Sequence, residues 1–267
     1  MDARAIGVFD SGVGGLTVVR SLIDLLPTEA VVYYGDTARG PYGPRERADV
    51  RRCVDDVAQV LVREGVKLLV AACNSASAAG LDHVRDAYPD LAVIEVIEPS
   101  VRAAVKATRN RHIGVIGTAL TITSRSYDRA VAMTRENVEL FSRACPRFVE
   151  FVERGETTGP EIIELAEEYL QPLKEAEVDT LILGCTHYPL LRGVIQYVMG
   201  RGVVLIESDK EVAIDVFAEL TRRDMFRPRD LPVEHRFLAS GDVSSFTELG
   251  HRFLGPEITK VEEHPWS

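Results

Sequence analysis

The sequence predicts an α/β protein of two pseudosymmetric α/β domains with mostly parallel sheets and a functional site in the cleft between them. Short continuous apolar runs alternate with longer amphipathic runs, which is typical of a parallel sheet covered by helices. The pattern restarts in mid-chain, where His112–Ile116 (HIGVI) resembles Ala5–Phe9 (AIGVF). A cysteine segment follows each copy at a similar distance, at Cys73 and Cys185. Repetition on this scale predicts two related units rather than a solenoid.

In the first half, each continuous apolar run predicts a buried strand and each amphipathic run predicts the helix after it. The run before Cys73 (LLVAA) does not alternate with polar residues, so we expect it to be buried on both faces. The loop TARGPYGP is rich in Gly and Pro, which predicts irregular structure. In chain order, we expect strands at Ala5–Phe9, Val31–Tyr34, Leu68–Ala72 and Ala92–Ile97, and helices at Val13–Leu26, Glu46–Glu64 and Ser100–Thr108.

The second half repeats this alternation and then adds a shorter tail of elements. Strands are expected at His112–Ile116, Val138–Phe141, Thr180–Gly184, Val203–Ile206 and Glu234–Ala239, and helices at Gly159–Ala176, Lys210–Arg222 and Val243–Phe253. The elements after Ser208 are too few for a third domain, so we expect them to pack on the first unit. The predicted domains are therefore residues 1–97 with 208–267, and residues 98–207.

Composition restricts the class of protein. The chain has 267 residues, 46% of them hydrophobic, and a formal charge of -10. An acidic surface argues against general binding to nucleic acid or to an anionic membrane. We see no export signal and no apolar run long enough to span a bilayer, so a cytoplasmic protein with reduced cysteines is expected.

The candidate site consists of polar residues that directly follow predicted strands. Cys73 and Cys185 are the central pair, because strand ends before helix N-termini are where α/β sheets bind ligands and stabilise thiolates. Two opposed thiols could remove a proton from one face of a carbon and return one to the other face, which inverts a stereocentre. Cys53 and Cys145 lie in apolar patterns and are expected to be structural. The other candidates at strand ends are Asp10, Ser11, Asp36, Asn74, Ser75, Thr118, Thr186 and His187.

Other interpretations of these residues stay open. The segment DSGVGGLT imitates a dinucleotide fingerprint, but Thr17 occupies its third glycine position and no P-loop Lys follows. Cys185 and His187 could ligate zinc, although no second pair completes a tetrahedral set. Asp36 could brace the loop after it, and Glu153 could be a surface charge at a helix end. We expect neither a metal nor a cofactor, since no motif carries a lysine for a pyridoxal Schiff base.

Five segments together resemble the glutamate racemases of the aspartate/glutamate racemase superfamily: GVFDSGVGGLTV, YYGDTARGPYG, AACNSASA, GVIGTALTITSRSY and LGCTHYPLL. The resemblance covers essentially the whole chain and keeps the segments in order. It implies that Cys73 takes the α-proton of D-glutamate and Cys185 that of L-glutamate. It further implies that Asp10 and His187 assist these transfers, with Glu153 behind His187.

The resemblance also implies how the substrate is held. Its amino and carboxylate groups would contact four pairs of neighbouring residues and two further hydroxyls: Asp10 with Ser11, Tyr42 with Gly43, Asn74 with Ser75, Thr186 with His187, and Thr118 and Thr121. Two positions depart from the family pattern, since Ser75 replaces threonine and Gly40 replaces a bulkier apolar residue. Neither change removes a donor or a charge, so we expect them to affect substrate affinity rather than reaction type.

The family supplies further expectations and two alternatives. The implied product, D-glutamate, would serve peptidoglycan synthesis, and the protein is expected to be a homodimer. An aspartate racemase, or a relative acting on another acidic α-carbon, is the alternative within the enzymes. A regulator that binds DNA gyrase is the alternative of another class, for which the acidic composition offers no positive support.

Overall fold

The computed structural model describes residues 1–266. The first half contains β1 (Ile6–Asp10), α1 (Leu16–Leu25), β2 (Val31–Gly35), α2 (Arg47–Arg63), β3 (Leu68–Ala71), α3 (Asn74–Ala79), α4 (Asp82–Ala87), β4 (Ala92–Glu95) and α5 (Ile97–Ala107). The second half contains β5 (His112–Gly117), α6 (Ala119–Thr123), α7 (Ser126–Thr134), β6 (Glu139–Ala144), α8 (Arg147–Arg154), α9 (Pro160–Glu175), β7 (Thr180–Gly184), α10 (Arg192–Met199), β8 (Val204–Glu207), α11 (Ser208–Arg223), β9 (Arg236–Ala239), α12 (Val243–Phe253) and β10 (Val261–Glu263). Short 3₁₀ turns precede α10 and follow α12.

The strands form two sheets in which every neighbouring pair is parallel. The strand orders are β10-β9-β2-β1-β3-β4 and β6-β5-β7-β8. The order β2-β1-β3-β4 of the first sheet recurs as β6-β5-β7-β8 in the second, so the two units share one topology. The predicted fold class, two pseudosymmetric α/β units with parallel sheets, is confirmed.

Strand burial follows position in the sheet. Every residue of β1, β2, β3 and β7 is buried, as expected for continuous apolar strands covered on both faces. The edge strand β6 is only partly buried and carries Glu139 and Arg143. This polarity explains why the apolar pattern predicted Val138–Phe141 and missed the second half of the strand.

Other boundaries also differ from the sequence prediction, most clearly around α1, α5 and β4. Helix α1 begins at Leu16 rather than Val13, because the glycine-rich residues before it form a loop. Helix α5 begins at Ile97 rather than Ser100, because the Glu95 carboxylate accepts hydrogen bonds from the N–H groups of Ile97 and Glu98. The prediction that the strand β4 extends to Ile97 is therefore wrong.

The elements after β8 return to the first unit. Strand β9 pairs with β2, and β10, which no sequence pattern predicted, pairs with β9. Helix α11 packs against α1 and α5. The sheets therefore draw on residues 6–95 with 236–263, and on residues 112–207. Within residues 1–266, no helix combines the length and apolar character that crossing a membrane requires.

Candidate active site

The site lies where the central strands of both sheets end. Strands β1 and β3 are neighbours, and so are β5 and β7, while the strands that follow β1 and β5 pair on their other sides. This arrangement is a topological switch point, where open α/β sheets bind their ligands. Ser11 and Cys73 follow β1 and β3, whereas Thr118 and Cys185 follow β5 and β7. The repeat therefore places one cysteine at the switch point of each sheet.

Both cysteines line a single cavity of about 200 Å³. This volume is below the range of about 300–1,000 Å³ typical of sites for drug-sized ligands, so the cavity suits a small molecule. The wall combines loops from the first unit with loops and α8 from the second: Ser11, Pro41, Gly43, Pro44, Cys73, Asn74, Ser75, Thr118, Ala119, Pro146, Val149, Glu150, Glu153, Cys185, Thr186 and His187.

The Cys73 thiol is buried at the N-cap of α3. Its Sγ accepts a hydrogen bond from the N–H of Ala76 at 3.4 Å and donates towards Ser11 Oγ at 3.6 Å. Burial, reinforced by the negative charge of Asp10, raises the pKa of the Cys73 thiol well above its usual value. The Ala76 N–H acts in the opposite direction but is weaker. These surroundings favour the protonated thiol.

Cys185 has different neighbours. Its Sγ lies 3.9 Å from His187 Nδ1, and Nε2 of the same ring lies 3.2 Å from Glu153 Oε1. The ring also packs edge-on against Phe253 of α12, with centroids 5.5 Å apart. Sulfur, imidazole and carboxylate thus form a chain from the cavity to α8.

His187 is held in its charged form. Burial disfavours the imidazolium, but the hydrogen bonds with Cys185 and Glu153 outweigh it and raise the pKa of His187 to about 10. A cationic imidazole therefore lies 3.9 Å from the Cys185 sulfur. Among the described residues that line the cavity, none is a Lys or Arg, so His187 supplies its positive charge.

Two buried acceptors at the site have no hydrogen-bond partner among residues 1–266, Asp10 Oδ1 and Asn74 Oδ1. The other Asp10 oxygen accepts from the Gly15 N–H at 3.0 Å, and Asn74 Nδ2 donates to the Tyr127 hydroxyl at 3.0 Å. Buried acceptors are ordinarily satisfied, so an exception needs an explanation. A ligand with an N–H donor would complete Asn74, which belongs to the cavity wall.

Hydrogen bonds also join the two units beside the cavity. The hydroxyl of Ser75 lies 2.9 Å from that of Thr118, which in turn lies 3.0 Å from that of Thr121. The N–H of Leu120 donates to the carbonyl of Gly43 at 3.0 Å. The serine at position 75 therefore still provides the hydroxyl that links the units.

Glycine is required at two positions beside the cavity, because other atoms lie too close to the backbone there to leave room for a Cβ. A Cβ at Gly14 would overlap Thr186 Oγ1 and lie 2.6 Å from His187 Nδ1. A Cβ at Gly40 would overlap the carbonyl oxygen of Ser11. The glycine at position 40, expected to affect affinity, thus lets the loop before Pro41 pack against the β1–α1 loop.

Most predicted site residues line the cavity, but four, Asp10, Asp36, Tyr42 and Thr121, lie outside the wall. Asp10 is buried behind it, Thr121 bonds to Thr118, and the buried Tyr42 directs its hydroxyl to Asp36. A contact from Tyr42 to a ligand would therefore have to come from its backbone. Cys53 and Cys145 are also buried outside the wall.

Sequence reasoning missed part of the second unit's contribution. Pro146, Val149 and Glu150 line the cavity from the start of α8, where the only available signal was the strong amphipathic pattern of that helix. Tyr127 was also missed, although the motif GVIGTALTITSRSY ends on it. Among residues 1–266, no group of three or more His, Cys, Asp or Glu side chains is arranged to hold a metal ion.

Comparison with known proteins agrees with this geometry. A family model for Asp/Glu/Hydantoin racemases matches residues 6–213. A glutamate racemase from Parafrankia sp. (strain EAN1pec) is 57% identical over 266 residues, covering 99% of this chain and 96% of that protein. The crystal structure of glutamate racemase isoform RacE1 from Bacillus anthracis is 40% identical, with a TM-score of 0.93 and coverage of 100% and 98%. Glutamate racemase from Francisella tularensis, solved in complex with D-glutamate, is 34% identical with a TM-score of 0.93 and coverage of 99% and 98%.

The fold, the site and these relatives define an isomerase of the racemase class. The chain belongs to the Asp/Glu/Hydantoin racemase family, and two relatives that are 57% and 53% identical to it are glutamate racemases. The resemblance inferred from the sequence motifs is confirmed.

Proposed function

We propose that the protein interconverts L- and D-glutamate without a cofactor, using Cys73 and Cys185 as a paired base and acid. The observation that carries this proposal is that two buried thiols, at equivalent strand ends of two pseudosymmetric sheets, line one small cavity. A planar carbanion between them could be protonated from either side. This arrangement allows inversion of the α-carbon without a covalent intermediate.

The proton balance is simple. In the L-to-D direction, a Cys185 thiolate removes the α-proton and becomes a thiol, while the Cys73 thiol donates its proton to the opposite face and becomes a thiolate. The D-to-L reaction begins with Cys73 as the thiolate and Cys185 as the thiol. After D-glutamate leaves, the protein must exchange protons with solvent before Cys185 is again the thiolate and Cys73 the thiol.

The surroundings of the two sulfurs suit them to different roles in the L-to-D direction. Burial and Asp10 raise the pKa of the Cys73 thiol, which suits it to hold a proton. The His187 imidazolium, supported by Glu153, stabilises negative charge on Cys185.

Substrate binding follows from the unsatisfied groups. The ammonium group would donate to Asn74 Oδ1, a buried acceptor on the cavity wall without a protein partner among the described residues. By family resemblance it would also approach Asp10, whose carboxylate lies behind the wall. The carboxylates would accept from uncharged donors, since the described lining has no Lys or Arg. Hydroxyl groups of Ser11, Ser75 and Thr186 are available there. Fixed dipoles in a closed site also stabilise negative charge that forms on the α-carbon.

By family resemblance, the D-glutamate would enter peptidoglycan synthesis in the cytoplasm. The homodimer that the resemblance implies stays a prediction, which light scattering on the purified protein would test. Both statements rest on the relatives rather than on a contact in this molecule.

Exchange of the α-proton in deuterated water tests the proposed function. The dialysed protein is incubated separately with L-glutamate and with L-aspartate, and α-deuterium and both enantiomers are quantified by NMR and chiral chromatography. We expect deuterium in glutamate and equal final amounts of its enantiomers. Deuterium in aspartate alone would identify an aspartate racemase, and a requirement for pyridoxal phosphate would exclude the thiol mechanism.

A further inference from the structure

The cavity wall formed by Pro41, Gly43 and Pro44 belongs to the loop between β2 and α2, here called the substrate loop (residues 37–44). This loop has no regular secondary structure, so its shape depends on the groups that hold it. Its backbone contacts Ser11 on one side and bonds to Leu120 on the other. A small displacement of the loop would therefore change the cavity directly.

The buried carboxylate of Asp36 holds the substrate loop at its start. Asp36 is fully buried and accepts four side-chain hydrogen bonds. Two come from the loop itself, from Arg39 Nε at 2.8 Å and from the Tyr42 hydroxyl. A carboxylate has about four lone-pair sites. The two sites that Arg39 and Tyr42 leave free accept hydrogen bonds from outside the loop.

The other two donors come from the far end of the chain. Ser240, directly after β9, donates to Asp36 Oδ1 at 2.8 Å, and the indole Nε1–H of Trp266 donates to the same oxygen at 2.7 Å. The Arg39 guanidinium lies over the Trp266 ring, 3.7 Å from its centroid. Trp266 thus contacts both the carboxylate that holds the loop and one of the loop's own side chains.

The segment that carries Trp266 is itself anchored. The His264 N–H bonds to the carbonyl of Ala239, and the Tyr34 hydroxyl donates to the carbonyl of His264 at 3.1 Å. The Tyr34 ring packs against the Trp266 ring, with centroids 5.5 Å apart. The indole is consequently fixed relative to the first sheet, and not only to the loop.

We infer that Trp266 is a positioning residue for substrate binding, which fixes the substrate loop through Asp36 and Arg39. Trp266 does not line the cavity. It acts by keeping the wall at Pro41 and Gly43 in its binding shape, so its loss should weaken glutamate binding more than it slows proton transfer. This inference rests on the proposed function.

The test compares Trp266→Phe, which keeps the ring over Arg39 but removes the N–H donor, with Trp266→Ala, which removes both. We expect the KM for both glutamate enantiomers to rise about tenfold in Trp266→Phe, since a hydrogen bond to a charged group is lost, and further in Trp266→Ala. The kcat should stay within about threefold, since neither thiol is touched. In Trp266→Ala, hydrogen exchange at the amides of Ala38 and Gly40 should accelerate.

Thr108→Val is the matched control. The Asp179 carboxylate also accepts four hydrogen bonds, one of them from Thr108 Oγ1 at 2.7 Å, but it lies at the opposite end of its sheet, before β7. Removing that donor should leave KM and the exchange of the substrate loop unchanged.

An unchanged KM in folded Trp266→Phe, or a fall in kcat alone, would overturn the inference. A wild-type protein that does not interconvert glutamate would instead defeat the proposed function.

Discussion

At the scale of single residues, the two thiols have opposite electrostatic surroundings although they occupy equivalent positions in the repeat. Cys73 has a carboxylate nearby, and Cys185 has an imidazolium. The repeat in the sequence does not indicate this difference, because it depends on side chains from other elements. Glu153 of α8 in particular reaches His187 across 34 positions of sequence.

The raised pKa of His187 predicts a pH dependence of stability. The pKa is about 10 in the folded protein and about 6.5 in an unfolded chain, so the folded state binds the proton more tightly. The stabilisation is therefore complete below pH about 6.5 and is lost as the pH rises through about 10. Each tenfold gain in proton affinity on folding is worth about 1.4 kcal/mol.

Urea denaturation across this pH range measures the effect, with His187→Gln as the control. The free energy of unfolding of the wild type should fall more steeply between pH about 6.5 and about 10 than that of the variant. Parallel curves would show that His187 is not held as an imidazolium.

At the scale of elements, the β1–α1 loop illustrates how closely the two units approach. Gly14 leaves no space for a Cβ beside Thr186 and His187, whereas a Cβ at Gly12 would have nothing within 4 Å. The loop can therefore remain in place only if position 14 lacks a side chain. Gly12, two residues earlier in the same loop, provides a matched position without this restriction.

We predict that Gly14→Ala displaces the Cys185 side of the cavity and lowers kcat/KM about 100-fold, the effect of misplacing a reacting group by about 1 Å. Gly12→Ala should change kcat/KM by no more than about twofold. Steady-state racemisation assays on the two variants measure this difference. Equal effects would contradict the observed approach of the loop to the second unit.

The helices and strands also differ in how well they could be predicted from the sequence. Continuous apolar runs identified the buried strands, and the polar residue after each central strand identified the cavity, because parallel strands end at one edge of the sheet. The short strand β10 and the wall residues Pro146, Val149 and Glu150 at the start of α8 escaped prediction, whereas the resemblance implied Glu153 of the same helix. The missed residues have no strand periodicity or catalytic motif, and only the pairing with β9 and the position on the cavity wall give them a role.

At the scale of the whole molecule, a buried ion pair joins distant segments at the amino ends of the strands. Lys67 Nζ lies 2.6 Å from Glu29 Oε2, and both side chains are almost fully buried. Lys67 also donates to the carbonyls of Asp2 and Met225, and Glu29 accepts from the N–H of Arg227. No sequence pattern predicts this pair, because its members are brought together only by the fold.

We predict that Lys67→Met lowers the free energy of unfolding by about 3–5 kcal/mol, since it leaves the Glu29 carboxylate buried without a counter-charge. The double variant Lys67→Met/Glu29→Gln should recover part of this loss while keeping an acceptor for Arg227. The kcat of the folded enzyme should not change, because the pair lies away from the cavity. Urea denaturation and activity assays would contradict the prediction if the single variant lost less than about 1 kcal/mol.

The predicted domain boundaries, near residues 97 and 208, also belong to this scale. Helices α5 and α11 begin at these two points and pack against each other. The boundaries stay a prediction, although the division of the strands between the two sheets supports them.

Enantiomer-specific exchange in single-cysteine variants tests the central claim most directly. Cys73→Ala and Cys185→Ala are each incubated in deuterated water with pure L- and pure D-glutamate, and α-deuterium is measured in the recovered enantiomers. We predict that neither variant racemises glutamate, and that any deuterium appears only in L-glutamate with Cys73→Ala and only in D-glutamate with Cys185→Ala. Racemisation at the wild-type rate by either variant, or exchange of both enantiomers by one of them, would contradict the assignment of one thiol to each face of the substrate.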